Sequence, residues 1–134
     1  MERRDLIYAL ETGLFIAVGG AAGANLRYAI GTLLPGLRGT LIANVTGSFF
    51  LGVLLYEAMY TELLAEKTRV VFGTGFLSSY TTYSTFAVES TAVPFWLGLL
   101  NIVGSYALGV GAVLVGRRLV LALTGTDSGG STDG

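Results

Sequence analysis

The chain has 134 residues, of which 52% are hydrophobic and 13% are charged, and its formal net charge is −1. An ordinary soluble domain is about one quarter charged, so this composition disfavours a typical globular enzyme and favours a membrane protein. Because the sequence has no cysteine and no histidine, disulfides and thiol catalysis are excluded and the commonest general base is absent. The few cations form no dense basic patch that would indicate nucleic-acid binding.

The first two apolar segments are continuous and long enough to span a membrane. Residues 13–34 form the first segment, which stops at Pro35-Gly36, and residues 39–60 form the second. A transmembrane helix needs about 20 apolar residues, so each segment predicts one span. A charged connection that includes Glu62 and Lys67 follows the second segment.

The third segment, residues 70–91, is the most polar of the four and predicts a broken helix. It contains Gly73, Gly75 and eight consecutive hydroxyl-bearing residues at positions 78–85. Polar or non-helical backbone is tolerated at membrane depth only where protein buries it or where it lines a cavity. The hydroxyl run therefore indicates a candidate site for an ion or a small polar solute.

The fourth segment begins near Pro94, a favourable residue for a first helical turn, and runs to residue 123. Residues 124–134 are rich in Gly, Ser, Thr and Asp, so we expect a disordered tail there. The sequence thus predicts an all-α integral membrane protein. Its single transmembrane domain, residues 1–123, would contain four helices, of which the third is broken.

Small residues recur four positions apart in the apolar segments, which is the spacing that lets membrane helices approach closely. We interpret most of these pairs as packing positions. The pairs are Gly19 with Gly23, Ser48 with Gly52, Ser105 with Gly109, and Ala112 with Gly116.

Positive charges are distributed unequally between the two ends of the predicted spans. Four spans place the amino terminus, the second loop and the carboxyl terminus on one side of the membrane. By the positive-inside rule, the bias predicts that both termini lie in the cytoplasm. We expect the protein in the plasma membrane. That side carries Arg3, Arg4, Lys67, Arg69, Arg117 and Arg118, whereas the other side carries Arg27 and Arg38.

Polar residues share one face of the second segment, where Thr40, Asn44, Gly47 and Ser48 lie at helical spacing. The amide of Asn44 offers two N–H donors, which suits an anion. An interhelical hydrogen bond with no transport role is the alternative that composition alone favours.

Other residues within the spans also have two possible roles. Asn101 and Ser105 form a polar stripe on the fourth segment, where a structural role is favoured. Arg27 lies near the end of the first segment, which favours a vestibule or anchoring role over a deep binding site. Tyr83 and Phe86 share a helix face, and their positive ring edges either hold an anion or pack in the core.

Three groups of residues, spread over roughly residues 15–118, carry a family signal. The first is Gly19-Gly20-Ala21-Ala22-Gly23-Ala24 with Arg27-Tyr28. The second is Gly39-Thr40-Leu41-Ile42-Ala43-Asn44 with Gly47-Ser48-Phe49, and the third is Gly75-Phe76 with Thr81-Thr82-Tyr83-Ser84-Thr85-Phe86. Any one group is a weak signal, but three in order in a four-span chain are specific. Together they resemble the CrcB family, the Fluc-type fluoride channels.

The resemblance implies an antiparallel dimer with two narrow pores, each built from both subunits. It implies that the asparagine of the second segment lines the pore together with two aromatic rings and a polar residue of the fourth segment. Hydroxyls of the third segment would add further donors. The candidate pore residues for fluoride are therefore Asn44, Thr82, Tyr83, Ser84, Phe86 and Ser105.

The resemblance also implies a structural sodium ion at the centre of the dimer, held by backbone carbonyls at the break of the third helix. Those carbonyls would belong to Ser78 and Thr81. Two departures from the family pattern stand out, because the family usually has phenylalanine at Tyr83 and two glycines at Ser78-Ser79. Glycine reaches positive φ freely whereas serine does so at a cost, so the second departure bears on the geometry of the sodium site without removing its backbone carbonyls.

Together these observations predict a fluoride channel subunit that exports fluoride passively, rather than an enzyme. An antiparallel dimer of one chain requires insertion in both orientations, so the charge bias predicts an oppositely oriented homologue as the partner. The alternative is a non-conducting partner subunit of a heterodimeric channel. A proton-coupled drug exporter would need a carboxylate within the first span, which has none, and Glu89 stands without other residues of a proton relay.

Overall fold

The computed structural model describes residues 2–125, and every regular element in that range is helical. In chain order the elements are α1 (Arg3–Leu33), α2 (Leu37–Tyr60), α3 (Glu66–Val70), a π-helical segment (Val71–Leu77), α4 (Ser78–Tyr80), α5 (Ser84–Thr91) and α6 (Phe95–Thr124). Helices α1, α2 and α6 are long and apolar enough to cross a membrane. The all-α prediction is confirmed to this extent, and the fourth span stays a prediction.

The third apolar segment is broken, as its hydroxyl run predicts. Helix α3, the π-helical segment and α4 form its first half, and α5 forms its second half. Between the halves, Thr81 has an extended backbone with φ −80° and ψ 160°. The π-helical segment was not predicted, and its wider turns contain Gly73 and Gly75. Such turns occur often at functional sites.

The helix ends differ from the predicted span limits where local capping extends the helix. Helix α1 begins at Arg3 rather than near residue 13, and Asp5 accepts a hydrogen bond from the Glu2 amide at 3.1 Å. Gly36, with φ 73°, makes the tight turn into α2 that the Pro35-Gly36 pair predicts.

At the other end of the chain, Thr124 is the last residue of α6, and Gly125 follows in the left-handed conformation. The predicted tail of residues 124–134 therefore begins inside a helix. Its remaining residues, 126–134, lie outside the described range.

The buried core is small, and much of the apolar surface is exposed. Ala43, Leu77 and Tyr80 form the central cluster, whereas Leu14, Tyr28 and many other large apolar side chains are exposed. A soluble monomer rarely exposes such continuous apolar surface. In a membrane, this apolar surface can lie against lipid or against a second protein chain.

Helix α1 packs closely on the broken segment because two of its residues are glycines. A Cβ atom on Gly19 would lie 2.8 Å from the carbonyl oxygen of Val71, and one on Gly23 would overlap the carbonyl of Phe76. Helix backbones approach this closely in membranes where small residues recur four positions apart. This predicted pair is confirmed as a packing position.

Helix α2 packs on α6 in the same way. A Cβ atom on Gly52 would lie 2.7 Å from the carbonyl oxygen of Val113, and one on Gly116 would lie 2.6 Å from that of Phe49. Glycines of two further predicted pairs are thus also packing positions. The contact holds α2 against α6, and residues of both helices line a cavity.

Replacing Gly23 by alanine is expected to destabilise the fold by about 1–3 kcal/mol, because the crowded interface must shift. The matched control is Gly13→Ala in the same helix, since no atom lies within 4 Å of a Cβ added there. That control should be neutral or stabilising by about 0.5–1 kcal/mol. Thermal unfolding in detergent micelles compares the two, and equal melting temperatures would contradict the close approach.

One end of the molecule brings together the chain regions that carry most cations. Lys67 forms an ion pair with Glu11 of α1 at 2.7 Å and lies 5.7 Å from the ring centroid of Tyr8. Arg117 of α6 lies 5.5 Å from the ring centroid of Tyr56 near the end of α2. The start of α1, the connection after α2 and the end of α6 therefore share one end, as the charge argument assumes.

Candidate functional site

A cavity beside the helix break collects most of the predicted site residues. It has a volume of ≈ 550 Å³ and is bounded by α2, the broken segment and α6. Gly47 and Gly109 are among its lining residues, and Gly47 packs so closely on Thr81 that an added Cβ atom would overlap that side chain. Of the nine residues predicted from sequence, all but Ser84 and Arg27 line it, namely Asn44, Ser78, Thr81, Thr82, Tyr83, Phe86 and Ser105.

Asn44 binds the backbone at the break through both ends of its amide. Its Nδ2 donates to the carbonyl oxygen of Thr82 at 2.9 Å, and its Oδ1 accepts from the amide of Thr82 at 2.8 Å. The interhelical hydrogen bond considered from sequence is therefore present. Because an amide nitrogen carries two hydrogens, one remains available to another acceptor. The structural role and an anion-binding role are thus compatible.

The same contact changes the hydrogen bonding of the carbonyls predicted to hold sodium. In a continuous helix, the amide of Thr82 would bond the Ser78 carbonyl, but here it bonds Asn44. The amide of Thr85 would bond the Thr81 carbonyl, but here it bonds Thr82 Oγ1 at 3.2 Å. Both carbonyls lose the helical donors they would have had, and each is a hard oxygen ligand.

Ser78-Ser79, where the family usually has two glycines, has a regular helical backbone, and the sodium position stays a prediction. Ser78 has φ −64° and ψ −29°, and Ser79 lies within α4, so both have ordinary right-handed helical backbone. Among the described residues other than glycine, only Glu62 has positive φ. Serine is therefore accommodated without strain, and its hydroxyl bonds back to carbonyls of the preceding turn, those of Thr74 and Gly75.

The hydroxyl groups near the break differ in how far they are already engaged. Thr82 Oγ1 donates to Thr85 Oγ1 at 3.1 Å and accepts from the Thr85 amide at 3.2 Å. Ser84 is exposed and lies 3.5 Å from Thr82 Oγ1 between hydroxyl oxygens. Ser105 Oγ is buried at the cavity wall and has no hydrogen-bond partner among the described residues. Ser105 is thus the candidate hydroxyl whose hydrogen-bonding capacity is left unused by the described residues.

Three aromatic rings form a continuous group at the cavity. The centroids of Tyr83 and Phe86 are 6.1 Å apart, and the ring of Phe86 meets that of Tyr106 edge-on at 6.3 Å and 85°. Phe86 is 8% exposed, whereas Tyr83 is 74% exposed. Phe86 is therefore held by the fold, and Tyr83 projects from it.

Tyr106 was missed from sequence although it lines the cavity. It follows the predicted Ser105 directly, and a tyrosine in the middle of an apolar span is itself a polar signal. Its position beside Phe86 depends on how α5 packs on α6, which the sequence pattern alone does not give.

Arg27 lies in a second, smaller cavity of ≈ 320 Å³ together with Thr40 and Glu89. Thr82 lines both cavities, so the break separates them. One carboxylate oxygen of Glu89 is buried there without a hydrogen-bond partner among the described residues. The vestibule role of Arg27 remains a prediction.

These features define a class of protein. The chain is all-helical in its described part, three of its helices can cross a membrane, and a polar cavity lies at a break between half-helices. It is a multi-pass membrane protein.

Comparison with known proteins gives the family. The family model described as CrcB-like protein, Camphor Resistance (CrcB), matches residues 14–117. The chain therefore belongs to the CrcB family, and the resemblance found from sequence is confirmed.

Several curated relatives carry names that state an activity. The "Fluoride-specific ion channel FluC 1" of Haloarcula marismortui is 52% identical over 119 residues, which is 89% of this chain and 93% of the relative. The "Fluoride-specific ion channel FluC 2" of Halobacterium salinarum is 46% identical over 89% of this chain and 93% of the relative. A relative from Oceanobacillus iheyensis, "Fluoride-specific ion channel FluC", is 36% identical over 81% and 90%. Ion channels are not a class of enzyme.

Proposed function

We propose that this chain is a subunit of a fluoride-selective channel that exports fluoride passively and lowers cytoplasmic fluoride. Membership of the CrcB family and the names of the relatives support the substrate. The observation that carries the proposal is the cavity that gathers Asn44, Phe86 and Ser105 at the helix break. A conductive path suffices for export, because hydrogen fluoride enters as a neutral acid and leaves its anion trapped in a less acidic cytoplasm.

The cavity offers weak donors that replace the water around fluoride. The free N–H of Asn44 and the unpartnered hydroxyl of Ser105 donate from opposite walls, and the ring edges of Phe86 and Tyr83 add positive potential. The hydroxyls of Thr82 and Ser84 continue this path past the break. Selectivity then follows from a constriction and the placement of donors, while binding stays weak enough for release.

The carbonyls of Ser78 and Thr81 are proposed as ligands of a structural sodium ion. They suit a hard cation because their helical amide donors are diverted to Asn44 and Thr82. When bound, the ion would supply a fixed positive charge that joins the broken segments of two chains. Ser78 would bind the ion through its backbone carbonyl, so a serine in place of the family's usual glycine is compatible with this role.

The proposed assembly is an antiparallel dimer in the plasma membrane, with four spans per chain and both termini in the cytoplasm. The exposed side chains of Tyr83 and Ser84 support a second chain that completes the cavity. Arg27 would lie in the vestibule on the other side of the break. The partner is a homologue of opposite orientation, because the loop charges favour a single orientation for this chain.

The alternative is that this chain assembles such a channel without conducting. It is favoured by the same Tyr83, whose hydroxyl lies at a position where the family usually has a plain ring. In that case the partner's surfaces supply both pores, and substitutions at Asn44 change assembly rather than conduction.

Fluoride efflux from proteoliposomes tests the proposal. The purified chain, alone and with a co-expressed homologue of the CrcB family, is reconstituted in fluoride-loaded vesicles, and efflux is followed with a fluoride electrode. Chloride-loaded vesicles are the control. We expect rapid fluoride efflux and negligible chloride efflux from the vesicles with both chains. No fluoride efflux under either condition would refute the channel function.

A further inference from the structure

Helix α5 is a short element that carries one of the candidate pore rings. It has eight residues, Ser84–Thr91, and begins directly after the break. Since no preceding helical turn supports its first residues, its position depends on side-chain contacts with α2 and α6. Asn44 holds its start through Thr82.

A second polar contact holds the other end of α5. Asn101 of α6 donates from Nδ2 to Ser90 Oγ at 2.9 Å. Ser90 Oγ donates in turn to the carbonyl oxygen of Phe86 at 2.6 Å. Ser90 is only 6% exposed, so water has little access to replace this hydrogen bond. The side chain of Asn101 is thereby linked through one hydroxyl to the backbone of Phe86.

The packing around this contact permits one position of α5 along α6. Gly98 is buried against the carbonyl of Ser90, where an added Cβ would overlap the oxygen. The ring of Phe86 meets that of Tyr106 on the same two helices. A shift of α5 along α6 would break the Asn101–Ser90 hydrogen bond and separate these rings together.

We propose that Asn101 is a positioning residue that acts through Ser90 to fix the height of Phe86 in the cavity and hence the selectivity of the pore. Asn101 does not line the cavity, in contrast to Ser105 one turn later in α6. Of the two residues in this polar stripe, Asn101 thus has a positioning role and Ser105 lines the cavity. The inference rests on the proposed fluoride function.

The test compares Asn101→Leu, Ser90→Ala and the double variant in the channel that conducts fluoride. Each single variant should lower the ratio of fluoride to chloride efflux by about tenfold, which corresponds to ~1.4 kcal/mol. The double variant should lower the efflux ratio no further than either single variant does, because all three variants remove the same contact. An unchanged ratio in the single variants, or additive losses, would overturn the proposal.

Two matched controls separate positioning from general stability. Thr91→Val removes the neighbouring hydroxyl, which bonds only carbonyls of its own helix, those of Ala87 and Val88. Asn25→Leu removes an asparagine that bonds only the carbonyl of Ala21 in α1. Both controls should keep the efflux ratio. A loss of selectivity in the controls equal to that in Asn101→Leu would also overturn the proposal.

A second measurement does not depend on conduction. Hydrogen exchange of residues 84–91 in detergent should accelerate in Asn101→Leu and Ser90→Ala, but not in Asn25→Leu. If vesicles that hold the wild-type chain together with its homologue release no fluoride, the channel function fails, while the exchange data still test the contact. If exchange accelerates and efflux is present but the ratio is unchanged, the contact is structural and the positioning role fails.

Discussion

Replacing Asn44 by alanine is expected to lower fluoride efflux by about a hundredfold or more, since hydrogen bonds to a charged group contribute ~1.5–3 kcal/mol and more than one interaction is lost. The substitution removes the amide of Asn44, which lines the cavity and has a second N–H to donate. It also leaves the amide and carbonyl of Thr82 without the partners they have at 2.8 and 2.9 Å. The three long helices should still insert, because their apolar segments are unchanged.

The control for this prediction is Asn25→Ala, which removes an exposed amide from α1 that bonds only its own helix. It should conduct like the wild type. Asn44→Asp refines the comparison, because a carboxylate can still accept from the Thr82 amide but adds a negative charge to the anion path. We expect it to be as inactive as Asn44→Ala. Wild-type efflux from Asn44→Ala would remove Asn44 from the pore, and loss of dimers would favour the assembly role.

The sequence was most informative where a residue type is unusual in a membrane. A run of hydroxyls in an oily segment is conspicuous, and it predicted both the break near Thr81 and the cavity around it. The small-residue spacing likewise predicted that Gly19 and Gly23 are close-packing positions, and the structure shows that their partner is the broken segment. In both cases a local sequence pattern is sufficient for the prediction, because hydrocarbon offers polar groups no water and favours small residues where helices approach closely.

Features that depend on three-dimensional contacts were not predictable in this way. The π-helical turns, the ring contact of Phe86 with Tyr106 and the Asn101–Ser90 hydrogen bond all arise from how segments meet. The diversion of the Thr82 amide from the Ser78 carbonyl to Asn44 is likewise a contact between segments, and Ser78 keeps a right-handed helical backbone.

Expressed alone, this chain is expected to insert in one orientation with both termini in the cytoplasm and to release no fluoride from vesicles. Six lysines and arginines lie on the side of the termini and two on the other side. Such a bias sets orientation in proteins with short loops. Reporters fused to each terminus measure the orientation, and a substantial population with external termini would contradict the prediction.

A variant with equal numbers of cations on the two sides tests whether the charge bias sets the orientation. Four substitutions by glutamine leave two cations on each side, so both orientations should appear. Because acidic residues count little in this rule, Glu62→Gln with Glu66→Gln is the matched control and should keep a single orientation. If the balanced variant inserts both ways and conducts fluoride alone, orientation rather than an incomplete pore is what requires a second chain. If it inserts both ways and stays silent, the pore itself needs residues of the homologue, and Tyr83 is the first position to exchange. The four substitutions are Arg3→Gln, Arg4→Gln, Arg117→Gln and Arg118→Gln.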